Sequence, residues 1–361
     1  MAKILIAPDS FKGSATSAQV ARALADGWKL SRPNDEIVIA PFADGGEGTL
    51  DCIENVAGQS LRIPITVYGA TGIEHESSWL LVGADTAVIE MATLCGITTL
   101  DVLDPLAAHS YGLGQAIKAA LEDVRVNEIL IAVGGSASTD AGLGALSALG
   151  FKGLDGSGKE LALGGGDLYR LAKIEKPAHL AKPERGIKVL VDVNSPLTGP
   201  NGAAHIFGPQ KGADAKQVED LDAGLAHFLT IVDVQDQPGF GAAGGVSCGL
   251  AALLGARIVS GVESIAGLIG LHEKIEEADC IVTGEGSFDQ QSYQGKAVGY
   301  LLEIAKAKNR PVMIACGVNK NEELPSIISL VDLAPSVESA MADSQHWLNE
   351  CGKGLASRFN H

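Results

Sequence analysis

Short apolar runs rich in β-branched residues alternate with helical patterns along most of this chain, and this alternation limits the possible folds more than any other feature. Six runs predict strands: Ile4–Ala7, Ile37–Ala40, Glu128–Val133, Lys188–Val193, Cys280–Thr283 and Val312–Ala315. A parallel strand reaches its next neighbour through a crossover, usually a helix, so the alternation predicts an α/β fold with a largely parallel sheet. Several runs end in Gly, Asp or Ser, and ligands of such sheets bind at the carboxyl ends of strands.

The segment from about residue 61 to 91 breaks this alternation. Leu61–Tyr68, Ser77–Val82 and Thr86–Met91 follow one another with only short glycine-containing turns, which predicts an antiparallel meander and hence a second, mixed sheet. We therefore expect two α/β domains with the active site in the cleft between them. The first is a discontinuous Rossmann-like domain of residues 1–65 and 262–361, and the second covers residues 66–261.

Net charge, cysteine spacing and the N-terminal segment argue against several classes of partner and site. The net charge of −17 predicts repulsion from nucleic acid and anionic lipid, so we expect neither as a partner. The six cysteines form no C-x-x-C pair, which argues against a zinc site and a disulfide framework. The N-terminal apolar run is too short for a signal peptide. These features predict a cytoplasmic protein, either a monomer or a homodimer.

Two glycine-rich segments imitate nucleotide motifs. Gly153–Glu160 resembles a Walker A loop but ends in Glu, where Ser or Thr would hold Mg²⁺, and its flanks predict an exposed hairpin turn. Gly239–Gly244 fits G-x-G-x-x-G but follows Q-D-Q-P rather than a strand. We interpret neither as a nucleotide site.

Polar residues follow the first two predicted strands. In P-D-S-F-K-G-S, Ser10 and Lys12 suit an anion, although a helix cap with a solvated lysine fits equally well. In A-D-G-G-E-G-T, Asp44 and Glu47 flank a Gly-Gly turn. Carboxylates there can bind Mg²⁺ or orient a lysine, or they can cap the following helix.

A third segment, V-G-G-S-A-S-T-D-A-G, contains Gly134, Gly135, Ser136 and Asp140. Backbone N–H groups at the start of the helix predicted over about 140–149 would form a cradle for phosphate or a substrate carboxylate. An ordinary helix cap is the alternative.

Three further stretches carry chemistry. T-G-E-G-S-F-D-Q-Q-S-Y-Q-G-K is longer than an ordinary connection between a strand and a helix, which suggests a site. D-V-N-S-P-L follows an aliphatic run, so Asp192 is either a loop cap or a catalytic carboxylate, and Asn194 can hold a substrate hydroxyl. F-G-P-Q-K-G supplies Lys211 as a cation for phosphate or carboxylate.

These six segments and a seventh, G-A-A-G-G at residues 241–245, resemble the type-1 glycerate kinase family, the glycerate 2-kinases, in content and order. The resemblance implies an ATP-dependent two-domain kinase that phosphorylates D-glycerate to 2-phosphoglycerate, with Mg²⁺ as cofactor. A kinase for another small hydroxy acid and a non-catalytic nucleotide- or anion-binding protein are the alternatives.

Under this hypothesis the residues divide into three groups. Catalytic roles, with Asp192 as general base, fall to Asp192, Lys12 and Lys211. Substrate and phosphate binding falls to Ser10, Gly134, Gly135, Ser136, Asp140, Asn194, Gln291 and Lys296. The candidates for metal binding are Asp44, Glu47, Glu285 and Asp289.

Overall fold

The computed structural model describes residues 1–293, 297–321, 324 and 326–359. The strands in this part of the chain are β1 Lys3–Ile6, β2 Glu36–Ile39, β3 Ser60–Tyr68, β4 Glu74–Val82, β5 Thr86–Glu90, β6 Glu128–Ala132, β7 Lys152–Asp155, β8 Leu171–Glu175, β9 Ile187–Leu190, β10 Arg257–Val259, β11 Cys280–Phe288, β12 Val312–Asn319 and β13 Ile327–Ser329. The α-helices are α1 Ser17–Ser31, α2 Thr49–Val56, α3 Met91–Cys95, α4 Tyr111–Glu122, α5 Leu143–Ala148, α6 Ala203–Phe207, α7 Ala215–Val232, α8 Val246–Leu254, α9 Gly261–Leu268, α10 Leu271–Glu277, α11 Ala297–Ala307, α12 Leu330–Leu333, α13 Val337–Ala342 and α14 Ser344–Arg358.

The chain divides into two compact units. The first contains Met1–Asp44, Asp51–Gly58 and Val262–His361, and the second contains Gly45–Leu50 and Gln59–Gly261. The boundary predicted after residue 65 falls inside β3, which pairs with β4 from Ser60 to Tyr68. Because that pairing is continuous, the whole of β3 belongs to the second unit.

The first unit is built on a parallel sheet with the strand order β13-β12-β11-β1-β2, as the alternation predicted. Ile4, Leu5 and Ile6 are completely buried because β1 lies in the interior of this sheet. Helices α1 and α14 approach each other closely, since a Cβ atom on Gly27 would collide with the backbone of Asn349. Small residues on a helix face permit such backbone contact.

The second unit is built on a mixed sheet with the order β10-β9-β6-β5-β4-β3. The predicted meander is confirmed, because β3, β4 and β5 pair antiparallel through short turns. From β5 onward through β6, β9 and β10 the strands run parallel. Ile129, Ile131 and Val189 lie in the main apolar core of this unit.

Strand β11 is longer than predicted. The prediction ended it at Thr283, but it continues to Phe288 and pairs with β12 as far as Asn319. The two glycines of T-G-E-G suggested a loop. Gly284 instead lies within the strand, where glycine is required because a Cβ atom would collide with the carbonyl of Ala315 on the neighbouring strand.

Residues 156–160 of the Walker-like segment form an exposed turn, as predicted, whereas its first three residues belong to β7. β7 runs into it and pairs antiparallel with β8, and the Asp155 carboxylate accepts the amide hydrogen of Ser157. Within the described residues, no helix has the length and apolar character needed to span a membrane.

Candidate active site

The first unit contains a pocket of about 410 Å³ beside the carboxyl end of β1 and the C-terminal parts of β11 and β12. Pockets that bind small molecules typically have volumes of about 300–1,000 Å³. One side of the pocket is polar, and it is formed by Asp9, Ser10, Lys12, Ser14, Asp44, Glu285, Ser287 and Asp289. The sequence therefore predicted five residues that the fold brings together here: Ser10, Lys12, Asp44, Glu285 and Asp289.

The loop after β1 reaches this pocket because it is anchored to the neighbouring strand. The backbone N–H of Asp9 donates to the carbonyl of Gly284 at 2.8 Å, and the N–H of Phe11 donates to the carbonyl of Ala15 at 2.9 Å. The intervening Ser10 and the exposed Lys12 are thus presented at the pocket by two backbone contacts.

Asp9 was missed at the sequence level although it lies only three residues beyond β1, whose last three residues are completely buried. Burial, and then the neighbouring carboxylate of Asp44, raise the pKa of Asp9 to about 7. The amide of Ser10, which donates to Asp9 Oδ1 at 2.6 Å, opposes this shift, as does the ammonium of Lys12. The raised pKa therefore reflects first the burial of this carboxylate and then the negative charge of Asp44 beside it.

The opposite side of the pocket is an apolar wall, formed by Val318, Leu330, Val331, Val337, Ala340 and Met341. Val337 is 51% exposed and Met341 is 53% exposed, so these two side chains are not used to fill the core. The pocket thus offers a charged side and an apolar side to one ligand.

Two glycine turns of the second unit contact each other. The N–H of Gly134 donates to the carbonyl of Gly45 at 3.1 Å, and a Cβ atom on Gly134 would lie 2.5 Å from the Cα atom of Gly46. Gly135 has φ +74°, a conformation that favours glycine. The glycine turns of A-D-G-G-E-G-T and G-G-S-A-S-T-D-A-G are therefore in backbone contact. No larger residue fits at Gly134.

Glu90 holds the first of these turns and was not predicted. It ends β5, is buried, and accepts the amide hydrogens of Gly48 at 3.0 Å and Leu50 at 2.9 Å. A side chain 40 residues away along the chain gives no local signal of such a contact. Glu47, the predicted metal candidate of this turn, lies in the second unit and is exposed.

The cradle predicted at a helix start is corrected by the structure. Helix α5 begins at Leu143, not near Asp140, and Asp140 is completely buried. Its carboxylate accepts the amide hydrogens of Gly142 and Gly144 and both the N–H and the hydroxyl of Ser110. Because those helix-start donors are already bound, Asp140 organises the turn and is not positioned to contact a phosphate.

Lys211 is buried behind the same turn, with 3% of its surface exposed. Its ammonium donates to Ser136 Oγ at 3.0 Å and to the carbonyl of Ser138. Burial lowers the pKa of Lys211 to about 8, against the attraction of Asp140. The structure therefore places this predicted catalytic cation against the protein rather than toward solvent.

Asp192 lies two residues beyond the end of β9, since that strand stops at Leu190. Its Oδ1 atom accepts hydrogen bonds from the Ser260 hydroxyl and from the N–H of Gly261, each at 3.0 Å. These contacts are those of the loop-cap alternative, and they also hold the carboxylate in one orientation. The base assignment stays a prediction, as does the role of the exposed Asn194.

The two remaining predicted residues follow β11 in the sequence. Gln291 lies in the short 3₁₀ turn Gln290–Tyr293, and Lys296 lies outside the described residues. Lys320, which the sequence did not suggest, lies 4.0 Å from Asp289 and places a further cation near the pocket.

Comparison with known proteins gives a consistent result. The sequence model of the glycerate kinase family matches residues 4–360. A glycerate 2-kinase of Escherichia coli K12 is 40% identical over 325 residues, which cover 87% of this chain and 85% of the relative. A glycerate kinase of Halalkalibacterium halodurans is 36% identical over 373 residues, covering 99% and 98%. A crystal structure reported as a glycerate kinase 2 from Salmonella typhimurium LT2 superposes with a TM-score of 0.80, at 34% identity, covering 99% of this chain and 97% of that one.

Proposed function

The chain belongs to the glycerate kinase family and is a kinase, and from this premise we propose that it transfers the γ-phosphoryl group of ATP to D-glycerate and forms 2-phosphoglycerate. The relative from Escherichia coli is named as a glycerate 2-kinase, which supports the 2-hydroxyl as acceptor. A non-catalytic anion sensor, the alternative open at the sequence level, does not agree with membership of a kinase family.

The pocket of the first unit is the observation that carries the nucleotide half of this proposal. A nucleotide joins an apolar base to charged phosphates, and the pocket joins an apolar wall to a charged side. The partly exposed Val337 and Met341 suit the base. Lys12 and the backbone of its loop suit the phosphates, because an ammonium and nearby N–H groups share anionic charge.

The carboxylates of this pocket fit a magnesium ion that arrives with the nucleotide. Within the described residues, no three or more His, Cys, Asp or Glu side chains form a group that could hold a metal. Proteins usually hold Mg²⁺ through one or two carboxylates together with water and substrate phosphates, so an incomplete protein donor set is what such a site requires. One or two of Asp44, Glu285 and Asp289 would serve as the protein ligands. Bound there, Mg²⁺ would neutralise charge on the phosphates.

The second unit supplies the residues proposed for the acceptor. Phosphoryl transfer depends on positioning and charge stabilisation more than on covalent chemistry. Ser136, on its rigid glycine turn, binds an anionic oxygen, and Asn194 binds a substrate hydroxyl. Asp192, oriented by Ser260 and Gly261, accepts the proton of the attacking hydroxyl.

A direct assay tests the proposed reaction. Release of ADP should depend on D-glycerate, and phosphorus NMR of the product should show the phosphate on the 2-hydroxyl. EDTA should abolish turnover and added Mg²⁺ should restore it. Parallel reactions with L-glycerate, glycolate and tartronate identify the acceptor, and a reaction without any acid measures background hydrolysis of ATP.

Each part of the assay can contradict one part of the proposed reaction. Faster turnover with one of the other acids would reassign the substrate, a 3-phosphate product would reassign the acceptor oxygen, and activity in EDTA would remove the metal. The cytoplasmic location and the monomeric or homodimeric state stay predictions.

A further inference from the structure

We propose that Lys211 is a positioning residue that fixes the Ser136 hydroxyl as a hydrogen-bond donor to an anionic oxygen of the substrates. The proposal rests on the proposed function and assigns to Lys211 a role without substrate contact. The sequence predicts a different role for Lys211, that of a cation in direct contact with phosphate or carboxylate. Because only 3% of its surface is exposed, Lys211 favours the role behind the turn over direct contact with the substrates.

The direction of one hydrogen bond is fixed by chemistry. A lysine ammonium carries three N–H donors and no acceptor, so Lys211 must donate in its 3.0 Å contact with Ser136 Oγ. One lone pair of the hydroxyl oxygen is thereby occupied. The O–H hydrogen of Ser136 cannot point at Lys211 and is available to another acceptor.

The surroundings of the turn show why this hydroxyl is needed. The amide of Gly134 is bound to the carbonyl of Gly45, and the amide of Ala137 is bound to the carbonyl of Cys95. Ser138 and Thr139 are completely buried, whereas Ser136 keeps 7% of its surface exposed. Among the three hydroxyl-bearing residues of this segment, Ser136 is the one that keeps some exposed surface.

The titratable groups that face Lys211 are Asp140 and Cys95, and His109 lies beside Asp140. Asp140 attracts the ammonium, but its carboxylate is bound to Ser110 and to two backbone amides. Burial raises the pKa of the Cys95 thiol to about 12, so Cys95 is neutral near neutral pH. Burial also lowers the pKa of His109, which lies near Asp140 and adds no positive charge there near neutral pH.

Deprotonation of Lys211 reverses the hydrogen bond. A neutral amine has a lone pair and can accept the Ser136 O–H, which then turns away from the substrate. Because burial lowers the pKa of Lys211 to about 8, the donor state is present below that pH and is lost as the pH rises through it. Anion affinity should therefore fall above pH 8.

The primary experiment compares the native protein with Ser136→Ala, which removes one oxygen atom and little else. In the native protein, KM should rise about fivefold between about pH 7 and about pH 9, because the charged fraction of Lys211 falls about tenfold while the total loss of affinity is limited to about tenfold. In Ser136→Ala, KM should already be about tenfold higher near pH 7, the loss of one hydrogen bond to a charged group, and should not rise further. The ratio of the two proteins at each pH cancels any titration of the ligand itself.

Two arms identify which anion is bound. If KM for D-glycerate carries the pH dependence, the oxygen belongs to the carboxylate of the acceptor. If KM for ATP carries it, the oxygen belongs to a phosphate. Lys211→Met should give the same high, pH-independent KM as Ser136→Ala, and the double variant should add nothing. Lys216→Met is the matched control, since Lys216 is an exposed lysine paired with Asp220 and should leave the profile unchanged.

Calorimetric Kd values for D-glycerate and for inorganic phosphate repeat the test without turnover. Equal pH profiles in the native protein and Ser136→Ala, or an unchanged KM in Ser136→Ala near pH 7, would overturn the proposal, and so would absence of binding of both probes. If Lys211→Met does not fold, Ser136→Ala decides alone. Failure of the proposed function has a different signature, namely no turnover of D-glycerate while the Kd values still respond to pH and to Ser136→Ala.

Discussion

The candidate anion sites of the two units carry charged side chains of opposite sign. In the first unit, Asp9, Asp44, Glu285 and Asp289 line an open pocket with Lys12 at its edge, and burial, followed by the charge of Asp44, raises the pKa of Asp9. In the second unit, a buried lysine lies behind a glycine turn, and burial lowers its pKa. A pocket of carboxylates needs an added cation before it can accept phosphates. A turn backed by a fixed cation can accept an anion directly.

This contrast separates two kinds of substrate recognition. A nucleotide brings its own metal ion, so a carboxylate-rich pocket does not repel it. A small hydroxy acid brings no metal and must be held by hydrogen bonds whose geometry is set by the protein. We therefore expect changes in the first unit to alter the dependence on nucleotide, and changes in the second to alter the chemistry or the dependence on acid.

Asp192→Asn should have the largest effect, and it tests whether the second unit contributes chemistry as well as binding. Asparagine keeps an oxygen that can accept from Ser260 and Gly261 but cannot take a proton. We expect kcat to fall by about 10²–10⁴-fold with little change in either KM.

Asp236→Asn is the matched control for this prediction. The Asp236 carboxylate also accepts the backbone amide hydrogens of Leu197 and Thr198. Its replacement should therefore lower thermal stability more than kcat. If Asp192→Asn instead lowers Tm and leaves kcat within a few-fold, Asp192 is a loop cap, and the second unit only binds.

Gly134→Ala should come next, because it forces apart the two glycine turns of the second unit. The added Cβ would lie 2.5 Å from the Cα atom of Gly46, where the neighbour is backbone and cannot rotate away. A displacement of about 1 Å at a reacting group costs about 10²-fold in rate, so we expect kcat/KM to fall about 100-fold.

Gly156→Ala provides the comparison for Gly134→Ala, since nothing lies within 4 Å of a Cβ atom at that position in the Walker-like turn. It should be active. Equal activity of the two variants would show that contact between the glycine turns is dispensable.

Lys12→Met should have the smallest effect of the three and should be confined to the nucleotide. Loss of one ammonium at the edge of the pocket should raise KM for ATP about tenfold and leave KM for D-glycerate within a few-fold. Lys306→Met, a change at another exposed lysine of the first unit, should alter neither value. A selective rise in KM for D-glycerate would exchange the roles that we assign to the two units.

Local patterns predicted much of the candidate site and some of it wrongly. Lys12, Asp44, Glu285 and Asp289 were found because polar residues just after buried strands share one edge of a parallel sheet. Asp140 was misread, since its short distance along the chain from a helix gave no sign that its carboxylate is saturated by Ser110 and by backbone amides. Glu90 gave no signal at all, because its partners lie about 40 residues away.

The sequence by itself determined the class of fold, the break between the parallel and the antiparallel pattern, and the family. These follow from periodicity and from residue order, which are local properties of the chain. Only the tertiary structure decided the depth and direction of the polar groups. Burial lowers the pKa of Lys211, whose ammonium donates to Ser136 Oγ, and burial together with the neighbouring carboxylate of Asp44 raises the pKa of Asp9. Such effects depend on desolvation and on distances between segments far apart in sequence, and these quantities exist only after the chain has folded.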